Sequence, residues 1–263
     1  MDFSYWYFFI LALFGAVVAN ATGAGGGVVF VPAFNFLGLT PSSIIATSFA
    51  IQCFGMTAGA LAWKKYTSVQ LHSNGSIAWS RYWNHVLWFS IPAVIGVVIG
   101  QYFVALDSSA QVKLVFKWFS IAFACSILLT TFYVVKFQRE DRLPVGNSSL
   151  KRTLFVIVGM LGGVITAWLS VGVGELVAVT LILLRYAVRM AVGVAVSVSA
   201  VSVWVGVQQY LWLHPNIDFN VLMFAGPAAL VGGTVAKRVA TFFSAVQLKL
   251  FIAVWILLSA LAM

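Results

Sequence analysis

Apolar residues run in long stretches along this chain, and polar ones gather in short gaps between them. Ten stretches stand out: about 3–21, 26–38, 43–62, 85–104, 112–136, 152–169, 173–184, 190–210, 219–236 and 246–262. Most approach the ~20 residues that a helix needs to cross a hydrocarbon core. Neither strict alternation nor a one-sided stripe marks them, so each predicts a helix that is apolar all round, the pattern of a membrane span. Two are too short to cross as helices, 26–38 and 173–184. Each follows a glycine-rich break, Gly23-Ala24-Gly25-Gly26-Gly27 in one case and Gly172-Val173-Gly174 in the other.

Composition fits this pattern. The 263 residues are 62% hydrophobic and 8% charged, against about 25% charged in a soluble domain. Mean hydropathy is +1.02. The first stretch lacks a basic flank and a small-residue cleavage site, so it is expected to be retained as a span. Net charge is +9, but the basic residues lie in short gaps, so the charge describes topology and not nucleic-acid binding. Cys53 and Cys125 lie inside apolar stretches and form no metal or disulfide motif.

Loop charge sets the number of segments. With ten, the gaps 63–84, 137–151, 185–189 and 237–245 share a face, and twelve of the fifteen Lys and Arg lie in or beside them. Fusing each short segment with its predecessor gives eight spans and splits that charge. The positive-inside rule therefore favours ten segments in a cytoplasmic (inner) membrane, with both termini outside. Whether the short segments cross fully or dip in and return stays open, because both have the same parity.

The order of features repeats. Ser108, Gln111, Lys113 and Leu114 match Ser244, Gln247, Lys249 and Leu250. The first break matches the second, and Ala46-Thr47-Ser48 matches Ala195-Val196-Ser197. Five segments per half is odd, so the halves are expected to be inverted: 1–137 and 152–263, joined by a cytoplasmic linker at 138–151. The expected fold is an all-α integral membrane protein with about eight to ten transmembrane segments. In such plans the substrate site lies between interrupted helices near the midplane.

A helix that starts inside a membrane presents unpaired N–H groups and the positive end of its dipole. Glycine lets an anion approach that backbone closely. The candidate binding residues are Asn20, Thr22, Gly23, Gly25, Gly26, Gly27, Thr47, Ser48 and Gln52 in the first half. In the second they are Trp168, Ser170, Gly172, Gly174 and Ser197, with Ser199 nearby. Ser48 and Gln52 are four apart and share a helix face. Taken singly, such hydroxyls more often bond their own helix backbone, and Gly96 and Gly100 read as packing residues that serve one chain or a homodimer equally well.

Glu175 is the one carboxylate well inside an apolar stretch. It is a candidate for coupling transport to a proton, for capping segment 173–184 or making a local hydrogen bond there, or for rejecting wrong ligands. Arg81, Arg185 and Arg189 could draw anions to the mouth or simply anchor the topology. Arg81, Tyr82, Trp83, His85 and Trp88 read as an interfacial cluster.

Gly23 to Gly27, Val31-Pro32, Gly38-Leu39-Thr40-Pro41 and Ala46-Thr47-Ser48 resemble the first-repeat signature of the TauE/SafE family of membrane transport proteins. Trp168 to Leu176 and Gly232-Gly233 resemble a variant second repeat. Where the first half has Gly26 and Pro32, the second has Glu175 and Leu181. The resemblance implies a secondary transporter for sulfite, an organosulfonate such as sulfoacetate, or a related sulfur anion. The same residues also suit a passive channel or uniporter, or a membrane subunit that does not transport. An enzyme is not expected, because no nucleophile–base pair or metal-ligand motif is present, and no cofactor is expected. The expected partners are a small anion, the bilayer and a coupling proton or sodium ion.

Overall fold

In the computed structural model, residues 5–36, 38–72, 76–104, 109–137 and 149–243 are described, with single positions between 246 and 257. Most of the linker and the tenth segment fall outside them. The described residues form α1 (Tyr7–Thr22), α2 (Gly27–Phe36), α3 (Pro41–His72), α4 (Ser76–Tyr102), α5 (Ser109–Phe137), α6 (Ser149–Leu169), α7 (Val173–Leu183), α8 (Val188–Trp212) and α9 (Phe219–Phe242). Six of these helices, α3, α4, α5, α6, α8 and α9, are long and apolar enough to cross a membrane. The protein is an all-helical, multi-pass membrane protein.

The helices outrun the apolar stretches. The expected gap at 63–84 shrinks, because α3 continues to His72 and α4 begins at Ser76. A helix satisfies its own backbone groups, so it can run past the apolar core while long cationic side chains lie over aromatic rings at the boundary. Lys64 lies over Trp83 at 5.7 Å, Lys151 over Tyr186 at 6.0 Å, Arg152 over Trp88 at 5.4 Å and Lys237 over Tyr66 at 5.3 Å. Arg189 donates to the Tyr66 hydroxyl. These contacts join cations from four separate gaps into one basic, aromatic end, and that is the charge asymmetry the sequence predicts.

Directions follow from the contacts. α3 and α9 run side by side toward the basic end: Thr47 meets Asp218, Gly55 meets Ala229 and Tyr66 meets Lys237. α1 runs with them, with Leu13 against Gly232 and Asn20 against Gly59. α4, α6 and α8 run the other way. After Gly23 the chain turns back, and α2 returns along α1 so that Phe34 meets Phe8. After Leu169 it turns back again, and α7 returns to Tyr186, whose hydroxyl meets His85 near the basic end. The short helices are thus the returning arms of two hairpins that enter from opposite ends.

Small residues set the spacing of the bundle. A Cβ on Gly96 would fall 2.2 Å from the Met160 carbonyl, and one on Gly163 would fall 2.1 Å from the Ala93 carbonyl. The α4–α6 seam is therefore backbone against backbone, and Gly96 and Gly100 act within the chain. Gly232 and Gly233 do the same for α9 against α1 and α3. Tyr82 and His85, expected at an interface, are fully buried. Tyr82 meets the Ser197 hydroxyl at 3.1 Å and His85 meets the Tyr186 hydroxyl at 3.1 Å. They lie on the inward face of α4, where each finds a polar partner from another part of the chain.

Candidate functional site

The two glycine breaks meet at the tips of the hairpins. Gly25 lies against Val171, and a Cβ on Gly27 would fall 2.5 Å from the Ser170 carbonyl. Gly174 packs on the Gly23 carbonyl just as tightly. The turns need unusual backbone. Gly23 takes φ 82° and Gly172 takes φ 143°, regions closed to most side chains. Ser170 adopts φ 57°, uncommon for a residue with a side chain. It is held there by Gln52, whose Nε2 donates to the Ser170 carbonyl at 2.9 Å and to its hydroxyl at 2.7 Å.

The expected free backbone donors exist, and side chains occupy them. Gly25 N–H donates to Glu175 Oε1 at 2.7 Å, and Gly172 N–H donates to Oε2 at 2.8 Å. One carboxylate therefore takes a donor from each break, across 150 residues of sequence. Gly26 N–H donates to Gln52 Oε1 at 2.7 Å, and Val173 N–H to the Thr166 hydroxyl at 2.8 Å. Glu175 is 1% exposed, so these bonds are made away from water. It caps α7, one of its expected roles, and also reaches a helix start in the other half.

Beside this cluster are buried polar atoms with no partner. The Ser199 hydroxyl faces Gly174, close enough that a Cβ there would fall 2.4 Å from it. Asn20 Oδ1 is also unpaired, while its Nδ2 donates to the Ala16 carbonyl at 2.8 Å and the Gly55 carbonyl at 3.2 Å. Trp63 donates to the Asn20 carbonyl.

The structure brings together Gly23, Gly25, Gly26, Gly27, Gln52, Ser170, Gly172, Gly174 and Glu175, with Ser48 accepting from Gln52 at 3.1 Å. Other candidates point elsewhere. Thr47 accepts from Asp218 N–H at the start of α9. Thr22 is the exception: it bonds back to the Val18 carbonyl but also accepts from Ala24 N–H within the first break at 3.2 Å. The Ser197 hydroxyl donates to the Gly193 carbonyl and meets Tyr82. The Trp168 indole donates to the Val104 carbonyl at the far end of α4. Arg185 is exposed and has φ 65°, and Arg189 joins the basic end. Arg81 lies in α4, with its side chain outside those described. Thr166 had no signal beyond its place one turn before a break. No group of three or more His, Cys, Asp or Glu able to hold a metal occurs among the described residues.

Two hairpins from opposite ends thus meet on buried glycine turns. The profile of the family described as Sulfite exporter TauE/SafE matches residues 8–263. The chain belongs to this family. It is also similar to a Bacillus subtilis (strain 168) protein named Probable membrane transporter protein YunE, 24% identical over 252 residues, which cover 88% of this chain and 86% of that one. No solved structure matches the chain. TauE/SafE proteins are membrane transporters and not enzymes.

Proposed function

We propose that this TauE/SafE protein is a secondary transporter that moves a small sulfur oxyanion or organosulfonate, such as sulfite or sulfoacetate, across the cytoplasmic membrane by alternating access. The substrate binds between the two glycine breaks. One observation carries this reading: N–H groups from both breaks converge on a single buried carboxylate. Donors that hold the Glu175 oxygens suit a sulfite or sulfonate oxygen equally, since both are anionic acceptors at a helix start. Glu175 acts as a tethered anion that holds the donors until substrate arrives. Protonation gives one of its oxygens an O–H and makes that oxygen a weaker acceptor, which loosens its hold on the N–H. A proton on Glu175 and an anion on the break then go together, so the proton, not sodium, is the coupling ion.

The reading includes an inverted repeat, 1–137 against 152–263 with the linker 138–151, and an orientation with the basic end inside and both termini outside. The helix partnerships support the repeat. α1 packs on α9 as α6 packs on α4, and α3 packs on α9 as α8 packs on α4. The breaks differ in what holds them. In the first half Gln52 of α3 accepts from the break; in the second, Glu175 of α7 does.

The test is uptake into proteoliposomes of sulfite, sulfoacetate, sulfate and chloride, with and without an imposed pH gradient. The reading expects flux of a sulfur anion that a proton gradient drives and that Glu175→Gln uncouples. Flux with no gradient dependence in the wild type would make the protein a channel or uniporter. Flux of no anion would refute the proposal.

A further inference from the structure

α4 and α6 lie in parallel and are sealed together at their deeper ends, where Gly96 and Gly100 meet Met160 to Ala167. The seam continues toward the basic end, where Gly159 packs on the Phe89 carbonyl, and on its outward side the two helices leave a groove of about 370 Å³, lined by Asn84, Trp88, Pro92, Ile95, Val156 and Met160 among others. Pro92 cannot donate to the Trp88 carbonyl, which weakens α4 at this point. The groove is apolar along its length, with Asn84 at the end nearer the start of α4. From Asn84 to Ile95 it runs eleven residues, about 16 Å along the helix. That is roughly half of a ~30 Å hydrocarbon core, the depth of one leaflet.

Cations mark the mouth. The Arg152 guanidinium lies 5.4 Å over the ring of Trp88, a groove residue, and Lys151 is next to it in sequence. Among the described residues neither carboxylate is at this end: Glu175 is at the breaks and Asp218 begins α9 near Thr47.

We infer that this groove is a binding site for one anionic phospholipid, with an acyl chain along α4 and α6 and the headgroup phosphate on Arg152. Three features select that occupant. The groove has the length of one leaflet, its polar end is cationic, and its wall is open to the bilayer at Trp88, Ile91 and Ile95, which are 38%, 61% and 45% exposed. A second copy of the chain would set two basic ends against each other. This inference stands apart from the transport reading.

The test is the melting temperature of the full chain in detergent micelles doped with phosphatidylglycerol, phosphatidylcholine of the same chains, or glycerol phosphate alone. Phosphatidylglycerol is expected to raise it by roughly 2–4 °C over phosphatidylcholine, as one surface cation on an anionic lipid implies. Glycerol phosphate alone should do nothing. Arg152→Gln removes an exposed side chain and should abolish the preference. Val156→Trp fills the groove and should lower the response to both lipids, while Leu129→Trp, on the 70%-exposed surface of α5, should not. Equal stabilisation by the two lipids in the wild type would overturn the inference, as would a preference that survives both Arg152→Gln and Val156→Trp. A wild-type dimer that Val156→Trp splits into monomers would instead assign the groove to a second copy.

Discussion

Removing the Glu175 carboxylate should leave an anion site that free anions can fill. In Glu175→Ala, the N–H groups of Gly25 and Gly172 lose acceptors at 2.7 and 2.8 Å in a place almost sealed from water. An orphaned buried donor costs about 1–3 kcal/mol, and bonds to charged groups sit at the upper end, so the pair predicts a loss of about 2–6 kcal/mol. For a chain of this size that is a fall of roughly 5–20 °C in melting temperature. Adding formate, acetate or sulfite at ~100 times its dissociation constant should restore about 2.7 kcal/mol. The assay is thermal unfolding of the purified protein in detergent, with chloride at matched ionic strength as the reference. The variant should respond to these anions more than the wild type does, because the wild type carries its own. If Glu175→Ala melts as the wild type does, the two bonds contribute nothing. If it melts lower and no anion restores it, the break donors do not form an anion site.

Four further outcomes follow from the geometry. Gly27→Ala places a methyl 2.5 Å from the Ser170 carbonyl and should cost about 1–3 kcal/mol by overpacking. Gly25→Ala meets nothing nearer than 3.4 Å and should melt within about 1 kcal/mol of the wild type by the same measure; equal effects would argue against the tight meeting of the hairpins. Gln52→Leu keeps the volume but leaves Gly26 N–H and the Ser170 oxygens unpaired, so it should lower stability by about 2–4 kcal/mol in the same melt. Gly163→Leu should abolish a monodisperse elution peak, because the Ala93 carbonyl already fills that space; a folded monomer would contradict the seam. Cysteines placed at Lys64 and Arg238 should resist an impermeant thiol reagent in intact cells, whereas one at Leu211 should react. The reverse pattern would invert the proposed orientation.

The sequence alone determined the class, the helices and the position of both breaks, because these depend on local chemistry. A long apolar run has only a helix with which to satisfy its backbone in a bilayer, and clustered glycines interrupt it. The pairing of Ser48 with Gln52 was also legible, since residues four apart on a helix lie on the same face. The same rule separates Thr47 from Ser48, roughly 100° apart around α3. Only the second joins the breaks, and the first turns to Asp218. What the sequence left open was who accepts the break N–H groups. Glu175 allowed capping or coupling in prospect, and nothing local ties it to Gly25, 150 positions away. Tyr82 and His85 misled for a similar reason: their amphipathic rings suit an interface as well as a polar pocket, and only the packing of α4 against α8 and Tyr186 decides. The tertiary structure settled these matters by bringing two hairpins tip to tip, at a distance that Gly27 and Gly174 permit because they lack a Cβ. A break in a helix is written in the residues that form it, but the partner of its exposed N–H groups is set by whatever the rest of the fold brings within three ångströms.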